Sequence, residues 1–161
     1  MNDTLNKFTF FYSARSPFSN WHPCKFVMND VEFNCGEQAM MYHKALFFGD
    51  KETADKVMAA KTPREQKALG RSVKGFVESD WQQERENIVY DLLLAKFSQN
   101  EELKEALLET KGTQLVEASK TDLIYGIGLS EDDPRAQDET QWRGLNLLGK
   151  LLMRVRETLS V

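Results

Sequence analysis

The sequence predicts a mainly α domain with a small β element near its N-terminus. Strand-like residues lie mostly in the first 33 positions, and apolar residues after that recur mainly at helical spacing. No internal repeat or low-complexity linker divides the chain, and 161 residues suffice for one domain with its own hydrophobic core. We therefore expect a single domain over residues 1–161.

The β element comes first in the chain. Residues 8–12 (FTFFY) are aromatic and typical of a strand, and residues 13–23 are rich in turn-forming residues and predict a loop. Residues 25–33 (KFVMNDVEF) predict a hairpin, because two short strand-like runs flank Asn29 and Asp30.

Helices follow, with one short strand expected among them at residues 114–117. The first helix would begin after an Asn34 cap, with Glu37 three residues later completing a capping box. It would run to about Phe48, just before Gly49. Further helices are predicted at about residues 52–60 and 63–70, from a cap at Ser79 or Asp80 through Ala95, at 100–109, and around a final stripe of Leu148, Leu152, Val155 and Leu159.

Residues 120–141 are predicted to form a long polar loop. Loops of this length inside a compact domain are usually functional or disordered. This one holds Asp122, Tyr125 and Gly126, and Trp142 follows it; a disordered segment rarely contains aromatic residues and glycines in this way. The GIG segment that starts at Gly126 is not a dinucleotide-binding fingerprint, because the third glycine and the strand–turn–helix context are missing.

The overall charge limits the classes of ligand. A net charge of −4 argues against broad, charge-driven binding of nucleic acid. A small anionic ligand in a local basic pocket is compatible with this charge, because basic residues cluster in one segment. They are Lys61, Arg64, Lys67, Arg71 and Lys74.

Neither a membrane segment nor a metal site is expected. No apolar run is long enough to cross a bilayer, and the N-terminus lacks the basic start and apolar stretch of a signal peptide, so a cytosolic protein is expected. Cys35 and Glu37 match the first half of a zinc deaminase signature, but no cysteine follows Cys35 to supply the second half. Cys24 and Cys35 are expected to be thiols, and no cofactor is expected.

The stretch that opens the first helix, NCGEQAMMYHK, combines a carboxylate and a lysine with apolar residues. In a helix, Glu37, Lys44 and Phe48 share one stripe. Two interpretations stay open. Either Glu37 completes a capping box and Lys44 is solvated, or Glu37 is a catalytic carboxylate whose ionised form the helix dipole favours. His43 has no partner at a spacing that indicates a catalytic triad.

The three tryptophans, Trp21, Trp81 and Trp142, lie near loop-to-helix junctions. At least one is expected to anchor the core. The alternative role is a stacking surface for a flat ring such as a nucleobase.

Several segments together are similar to one family. They are residues 10–13 (FFYS), 17–21 (PFSNW), 37–42 (EQAMMY), 44–45, 70–71, 73–74, Trp81, Arg85, 96–97, 99–100, Leu103, 115–119 (LVEAS), Asp122, 126–128, Trp142, Gly144, Asn146, 148–149 and Arg156. In this order and spacing they resemble the YbiA-like, or NADAR, family over about residues 8–159, nearly the whole chain. The resemblance implies one compact YbiA-like domain.

The resemblance also implies an N-glycosidase, an enzyme that cleaves the bond between a ribose carbon and a nitrogen. One branch of the family acts on phosphoribosylated amino-pyrimidine intermediates of riboflavin synthesis, and another removes ADP-ribose from modified guanine in nucleic acid. By this resemblance, Glu37, Trp81 and Asp122 are the positions most often tied to activity. Tyr125 stands where many relatives carry tryptophan.

This chemistry needs a defined set of groups. Breaking a ribosyl C–N bond builds positive charge on the sugar. A carboxylate near the anomeric carbon must either stabilise that charge or activate the attacking water. A donor must neutralise the departing base, an aromatic plate must hold it, and basic groups must hold phosphates; no metal is required.

The expected catalytic residues are Glu37, Asp122 and Lys44. Glu37 would be the essential carboxylate, while Asp122 would position ribose hydroxyls or share the acid–base work. The expected substrate-binding residues are Ser19, Asn20, Trp21, Arg71, Lys74, Trp81, Tyr125 and Gly126. Among them, Arg71 and Lys74 would hold a phosphate, unless they form only a solvated basic face.

Two other functions stay open. A non-catalytic reader of ADP-ribose or a related nucleotide would use the same pocket, although the presence of both Glu37 and Asp122 favours an enzyme. A protein-interaction module would use the acidic residues 131–133, which are more simply a solvated loop, so no obligate protein partner is expected. A small ribosylated riboflavin intermediate and an ADP-ribosylated nucleic-acid base both remain open as substrates.

Overall fold

The computed structural model describes residues 7–160. Its contacts group the chain into two compact units. The central unit is Asn20–Asn100, and the terminal unit is the described part of Met1–Ser19 and Glu101–Val161. Among the described residues, no helix has both the length and the apolar character that crossing a bilayer requires.

The prediction of a mainly helical fold with small sheets is confirmed. The elements in chain order are β1 (Phe8–Phe11), β2 (Phe26–Met28), β3 (Val31–Phe33), α1 (Gly36–Phe47), α2 (Lys51–Ala59), α3 (Pro63–Gly70), α4 (Glu78–Gln99), α5 (Glu101–Leu108), β4 (Gln114–Glu117), two short 3-10 helices (Pro134–Gln137 and Glu139–Gln141) and α6 (Leu147–Leu159).

In the central unit, the predicted hairpin is confirmed. Strands β2 and β3 pair antiparallel, with Phe26 opposite Phe33. Asn29 and Asp30 between them adopt left-handed φ angles of 49° and 66°, as a tight two-residue hairpin turn requires. Helix α1 packs against α2, α3 and α4, so it lies at the centre of this unit.

The predicted cap of α1 is wrong. The residue before the helix is Cys35, whose side chain makes no capping hydrogen bond. The backbone N–H of Asn34 donates instead to Oε1 of Gln38 at 2.8 Å, and the Asn34 side chain accepts a bond from Gln66 at 3.2 Å. The side chain that accepts from the Asn34 N–H is therefore that of Gln38.

The start of α4 also differs from the prediction. The helix begins at Glu78 after Val77, and no side chain caps it, so neither Ser79 nor Asp80 has that role. Trp81, Arg85 and Leu92 are buried on one side of α4, and Val89 is buried with them, whereas Ile88 is only half-buried.

The terminal unit combines two strands with two helices. The predicted strand at residues 114–117 is confirmed as β4, which pairs in parallel with β1 so that Phe8 lies opposite Gln114. Helix α6 packs on β4 and α5, and its predicted stripe buries Leu148, Leu152 and Val155.

The long segment predicted as a loop is ordered by backbone hydrogen bonds. Ile127 N–H donates to Glu117 O at 3.0 Å, and Asn146 N–H donates to Gly126 O at 3.0 Å. The buried Asn146 side chain donates to Leu115 O at 2.9 Å and accepts from Glu117 N–H at 3.0 Å. These bonds tie the segment to β4 and to the start of α6.

Candidate functional site

The carboxylate of Glu37 lies at the start of α1, in the central unit. Its side chain is only 5% exposed, and the indole N–H of Trp21 donates to its Oε1 at 3.3 Å. The backbone N–H of Glu37 donates to the carbonyl of Asn20 at 2.8 Å. The loop before the hairpin therefore supplies two neighbouring residues that fix the position of Glu37.

The side chain of Asn20 lies over the first residue of α1. A Cβ on Gly36 would come within 2.5 Å of Asn20 Oδ1, so only glycine permits this approach. Asn20 is 7% exposed, and its Oδ1 has no hydrogen-bond partner among the described residues. Buried polar atoms are usually hydrogen-bonded. Next to Glu37, this oxygen is suited to accept a bond from a ligand hydroxyl.

Lys44 lies seven residues further along α1, about two turns from Glu37. Its Nζ is 4.7 Å from the centre of the Phe76 ring and 5.8 Å from that of the Trp81 ring. Burial lowers the pKa of Lys44, an effect that the carboxylates of Glu78 and Glu37 oppose and the guanidinium of Arg71 reinforces. Glu37 and Arg71 therefore each lie within electrostatic reach of Lys44.

Trp81, one of the two rings beside Lys44, is itself packed among phenylalanines. Trp81 is 6% exposed, and its ring centre lies 6.5 Å from that of Phe47 and 6.4 Å from that of Phe48. Phe48 also contacts Phe76, with ring centres 5.3 Å apart. Trp81 thus mainly supports Lys44 and the phenylalanines, and offers less surface for stacking than Trp21.

One turn after Trp81, α4 carries a buried cation, Arg85. Arg85 is 8% exposed, and its Nε has no hydrogen-bond partner in the part of the chain that the structure describes. An unpaired buried donor is costly and indicates a site that a ligand can complete.

The predicted phosphate-binding pair lies in a loop, because α3 ends at Gly70. Arg71 follows the helix directly and is exposed. The backbone N–H of Lys74 donates to Asp50 Oδ2 at 2.8 Å, and its ammonium lies 3.9 Å from Glu52. Asp50 therefore pins this loop to the start of α2.

Asp50 is held in its charged form. It accepts hydrogen bonds from the backbone N–H of Lys74 and from the hydroxyl and backbone N–H of Thr53. These bonds, that of Lys74 first, lower the pKa of Asp50 to about 2. The loop thus stays anchored at neutral pH.

The predicted site residues of the terminal unit form a turn. Asp122 Oδ1 accepts from the backbone N–H groups of Ile124 at 2.9 Å and Tyr125 at 2.8 Å. A Cβ on Gly126 would come within 3.1 Å of the Asp122 carbonyl, so the backbone is closely packed here. Ser19 is buried in the same unit. The structure thus brings Asp122, Tyr125 and Gly126 together.

The remaining candidates have structural roles. Trp142 packs against Phe8 with ring centres 5.6 Å apart, and its indole N–H donates to Ala136 O at 2.9 Å, so it is the expected core anchor. In the acidic segment, Asp133 forms an ion pair with Arg135 at 2.7 Å. His43 Nδ1 lies 2.7 Å from Ala39 O within α1.

The sequence patterns did not single out Phe47 or Phe76, of which Phe76 contacts Lys44. Phe47 and Phe76 are 44% and 39% exposed. The available signal was the apolar pair Phe76-Val77 immediately before a helix, where polar caps are the rule.

Comparison with known proteins identifies one matching family and several relatives. The model of the NADAR domain family matches residues 10–160. Protein irg-1 of Caenorhabditis elegans is 40% identical, over 98% of this chain and 82% of its own. An N-glycosidase of Acanthamoeba polyphaga mimivirus is 40% identical, over 94% of this chain and 96% of its own.

The fold has a counterpart among solved structures. The NMR structure of the E. coli protein YbiA matches with a TM-score of 0.79 at 26% identity, covering 96% of this chain and 86% of that chain. The resemblance found in the sequence is confirmed, and the fold is YbiA-like.

Proposed function

This chain belongs to the NADAR family, and from that premise we propose that it is an N-glycosidase, a hydrolase that cleaves the bond between a ribose carbon and the nitrogen of a base. The observation that carries the proposal is the pairing of a buried carboxylate with a half-buried ammonium on one helix. These groups are Glu37 and Lys44, and aromatic rings flank both.

The carboxylate of Glu37 lies next to the reacting carbon of the sugar. Positive charge develops on the ribose as the C–N bond breaks, and a carboxylate close to it lowers the barrier or activates the attacking water. The position at the start of α1 and the hydrogen bond from Trp21 preorganise this charge.

Lys44 donates the proton that the departing base needs. Burial makes its ammonium a stronger acid than an exposed lysine, because desolvation penalises the charged form. The ring of Trp21, 36% exposed beside Glu37, is the plate that holds the base, a role that fits it better than the buried Trp81.

Other residues bind the rest of the substrate. Asn20 Oδ1 accepts a hydrogen bond from a ribose hydroxyl, and Arg71 with Lys74 holds phosphate. In the terminal unit, Asp122 positions ribose hydroxyls or shares the acid–base work, and Ser19, Tyr125 and Gly126 contact substrate.

The substrate is a small ribosylated riboflavin intermediate or an ADP-ribosylated base of nucleic acid. The test incubates the full chain with a phosphoribosylamino-pyrimidine and with ADP-ribosylated guanine, and follows free base and free ribose phosphate or ADP-ribose by mass spectrometry. We expect release from one of them. Release from neither, with tight binding of ADP-ribose, would replace the enzyme with a non-catalytic reader.

A further inference from the structure

A cleft in the terminal unit is lined by the end of α5, the turn that follows it and the last turns of α6. Its volume is about 490 Å³, within the range of pockets that hold small molecules. The side chains that matter for its chemistry are Leu108, Lys111, Met153, Arg154, Arg156 and Glu157. None of them belongs to the candidate site around Glu37, so the proposed glycosidase scheme leaves this cleft without a role.

Positive charge dominates the cleft. Lys111, Arg154 and Arg156 line it, and Glu157 is the one acidic residue among its described lining residues. Within residues 7–160, neither Lys111 nor Arg156 forms an ion pair with a carboxylate. A cleft lined mainly by one sign of charge attracts ligands of the opposite sign, so this one favours anions.

Arg156 is held in place and keeps one edge of its guanidinium open. The side chain is half-buried, and its Nη1 donates to the carbonyl and to the hydroxyl of Thr110, both at 2.9 Å. Its Nε and Nη2 make no hydrogen bond to any other described residue. These two nitrogens share one edge of the guanidinium, the geometry that binds a carboxylate or a phosphate through two parallel hydrogen bonds.

The helix dipole offers a simpler explanation for part of this arrangement. Cations are favoured near the C-terminal ends of helices, and the bonds from Nη1 to Thr110 fit that role at the end of α5. The dipole does not explain the open Nε–Nη2 edge. Burial also lowers the pKa of Arg156 from 12.5, because its charge is partly desolvated. A bound anion would compensate that charge.

The cleft also has an apolar part. Leu108 and Met153, one from each helix, line it and are only half-buried. Small-molecule sites typically combine apolar walls with a few polar groups that fix the orientation of the ligand. The cleft therefore suits a ligand with an anionic group and an apolar body.

We propose that this cleft binds a small organic anion. Its phosphate or carboxylate group lies on the Nε–Nη2 edge of Arg156, and its apolar body lies on Leu108 and Met153. The exposed side chains of Lys111 and Arg154 add to the attraction. The site goes beyond the proposed N-glycosidase activity and does not depend on it, because it uses other residues.

The test titrates the full chain with phenyl phosphate, benzoate and inorganic phosphate, and follows the signals by NMR. The informative signals are the Arg156 Nε–H and the backbone amides of residues 108–111 and 153–160. Arg156→Gln can still donate to Thr110 but lacks the charge, and Lys111→Ala removes an exposed cation. Lys150→Ala is the matched control, an exposed cation of α6 that does not line the cleft.

We expect phenyl phosphate or benzoate to shift these signals, and the tighter of the two identifies the anionic group. That ligand should bind on the order of tenfold more tightly than inorganic phosphate, because its ring is removed from water. Arg156→Gln should weaken its binding on the order of tenfold or more, and Lys111→Ala roughly twofold to fivefold. Lys150→Ala should bind as wild type does.

The site would be overturned if neither aromatic anion shifted the cleft signals, or if the shifts were confined to the loop of Arg71 and Lys74. Wild-type affinity in the folded Arg156→Gln variant, or equal affinity for the aromatic anion and inorganic phosphate, would also overturn it. If Arg156→Gln does not fold, Lys111→Ala decides, because an affinity equal to that of Lys150→Ala would contradict the proposal. A chain that binds the aromatic anion at Arg156 but releases no base would overturn the proposed function and keep this site.

Discussion

The ammonium of Lys44 lies 4.7 Å from the centre of the Phe76 ring. The negative face of the ring favours the charged lysine, whereas burial disfavours it. Burial is the largest cause of the shift, and it lowers the pKa of Lys44 from 10.5. The proposed proton donor is therefore a stronger acid than an exposed lysine.

The pH dependence of activity should report this lowered pKa. Lys44 donates a proton only in its charged form, so kcat/KM should be retained below its folded-state pKa and lost as the pH rises through it. We expect the alkaline limb below the ordinary lysine value of 10.5. Lys44→Arg should lower kcat/KM and leave a residual activity without this limb, because arginine stays charged and does not give up its proton. An alkaline limb unchanged in Lys44→Arg would exclude Lys44 as the donor.

Replacing both Arg71 and Lys74 by alanine should weaken binding of a phosphorylated sugar. Charge-assisted hydrogen bonds to phosphate contribute on the order of tenfold in affinity at such an exposed loop. The matched control is Lys67→Ala, an exposed cation in the last turn of α3. Titration with ribose 5-phosphate measures the effect, and equal affinities in all three proteins would leave the pair as a solvated basic face.

The carboxylate of Asp122 can be tested without losing its turn. In Asp122→Asn one side-chain oxygen can still accept from the N–H groups of Ile124 and Tyr125, so the melting temperature should change little. If the negative charge shares the acid–base work, turnover should fall on the order of a hundredfold. Wild-type turnover in this variant would restrict Asp122 to a structural role.

A stability prediction concerns Lys96 in α4. This side chain is 0% exposed, and burial lowers its pKa to about 8 from 10.5, while Cys24 and Cys35 act in the opposite direction. Between these two values the unfolded chain binds more protons than the folded one, so the Lys96 contribution to stability rises with pH.

Lys96→Met should therefore stabilise the protein at neutral pH, by on the order of 3 kcal/mol, and the advantage should shrink toward pH ~10. Denaturant unfolding of both proteins across this range measures the difference. A variant less stable than wild type at neutral pH would mean that contacts of the ammonium outweigh its desolvation.

Local sequence patterns predicted most elements of the fold. Asn29 and Asp30 indicate a tight turn by residue type, and Thr62 with Pro63 indicates a helix start, as α3 confirms with a Thr62 side-chain cap. The α1 cap could not be predicted in this way, because Asn34 is bound by Gln66, which is distant in sequence.

In the candidate site, too, local sequence patterns predicted some features, whereas contacts between residues far apart in the chain could not be predicted. Helical periodicity places Glu37 and Lys44 on one stripe of α1, and this required no tertiary information. The contact of Asn20 with Gly36, and that of Phe76 with Lys44, join residues far apart in the chain. No local pattern encodes those contacts, so they emerged only from the structure.

The most direct test of the account is the turnover of Glu37→Gln on the ribosylated substrate that wild type cleaves. Glutamine keeps the shape and an oxygen that can accept from Trp21, so the melting temperature and substrate binding should stay close to wild type. If Glu37 is the catalytic carboxylate, base release, followed by mass spectrometry, should fall on the order of a hundredfold or more. Base release at the wild-type rate by the folded variant would contradict it.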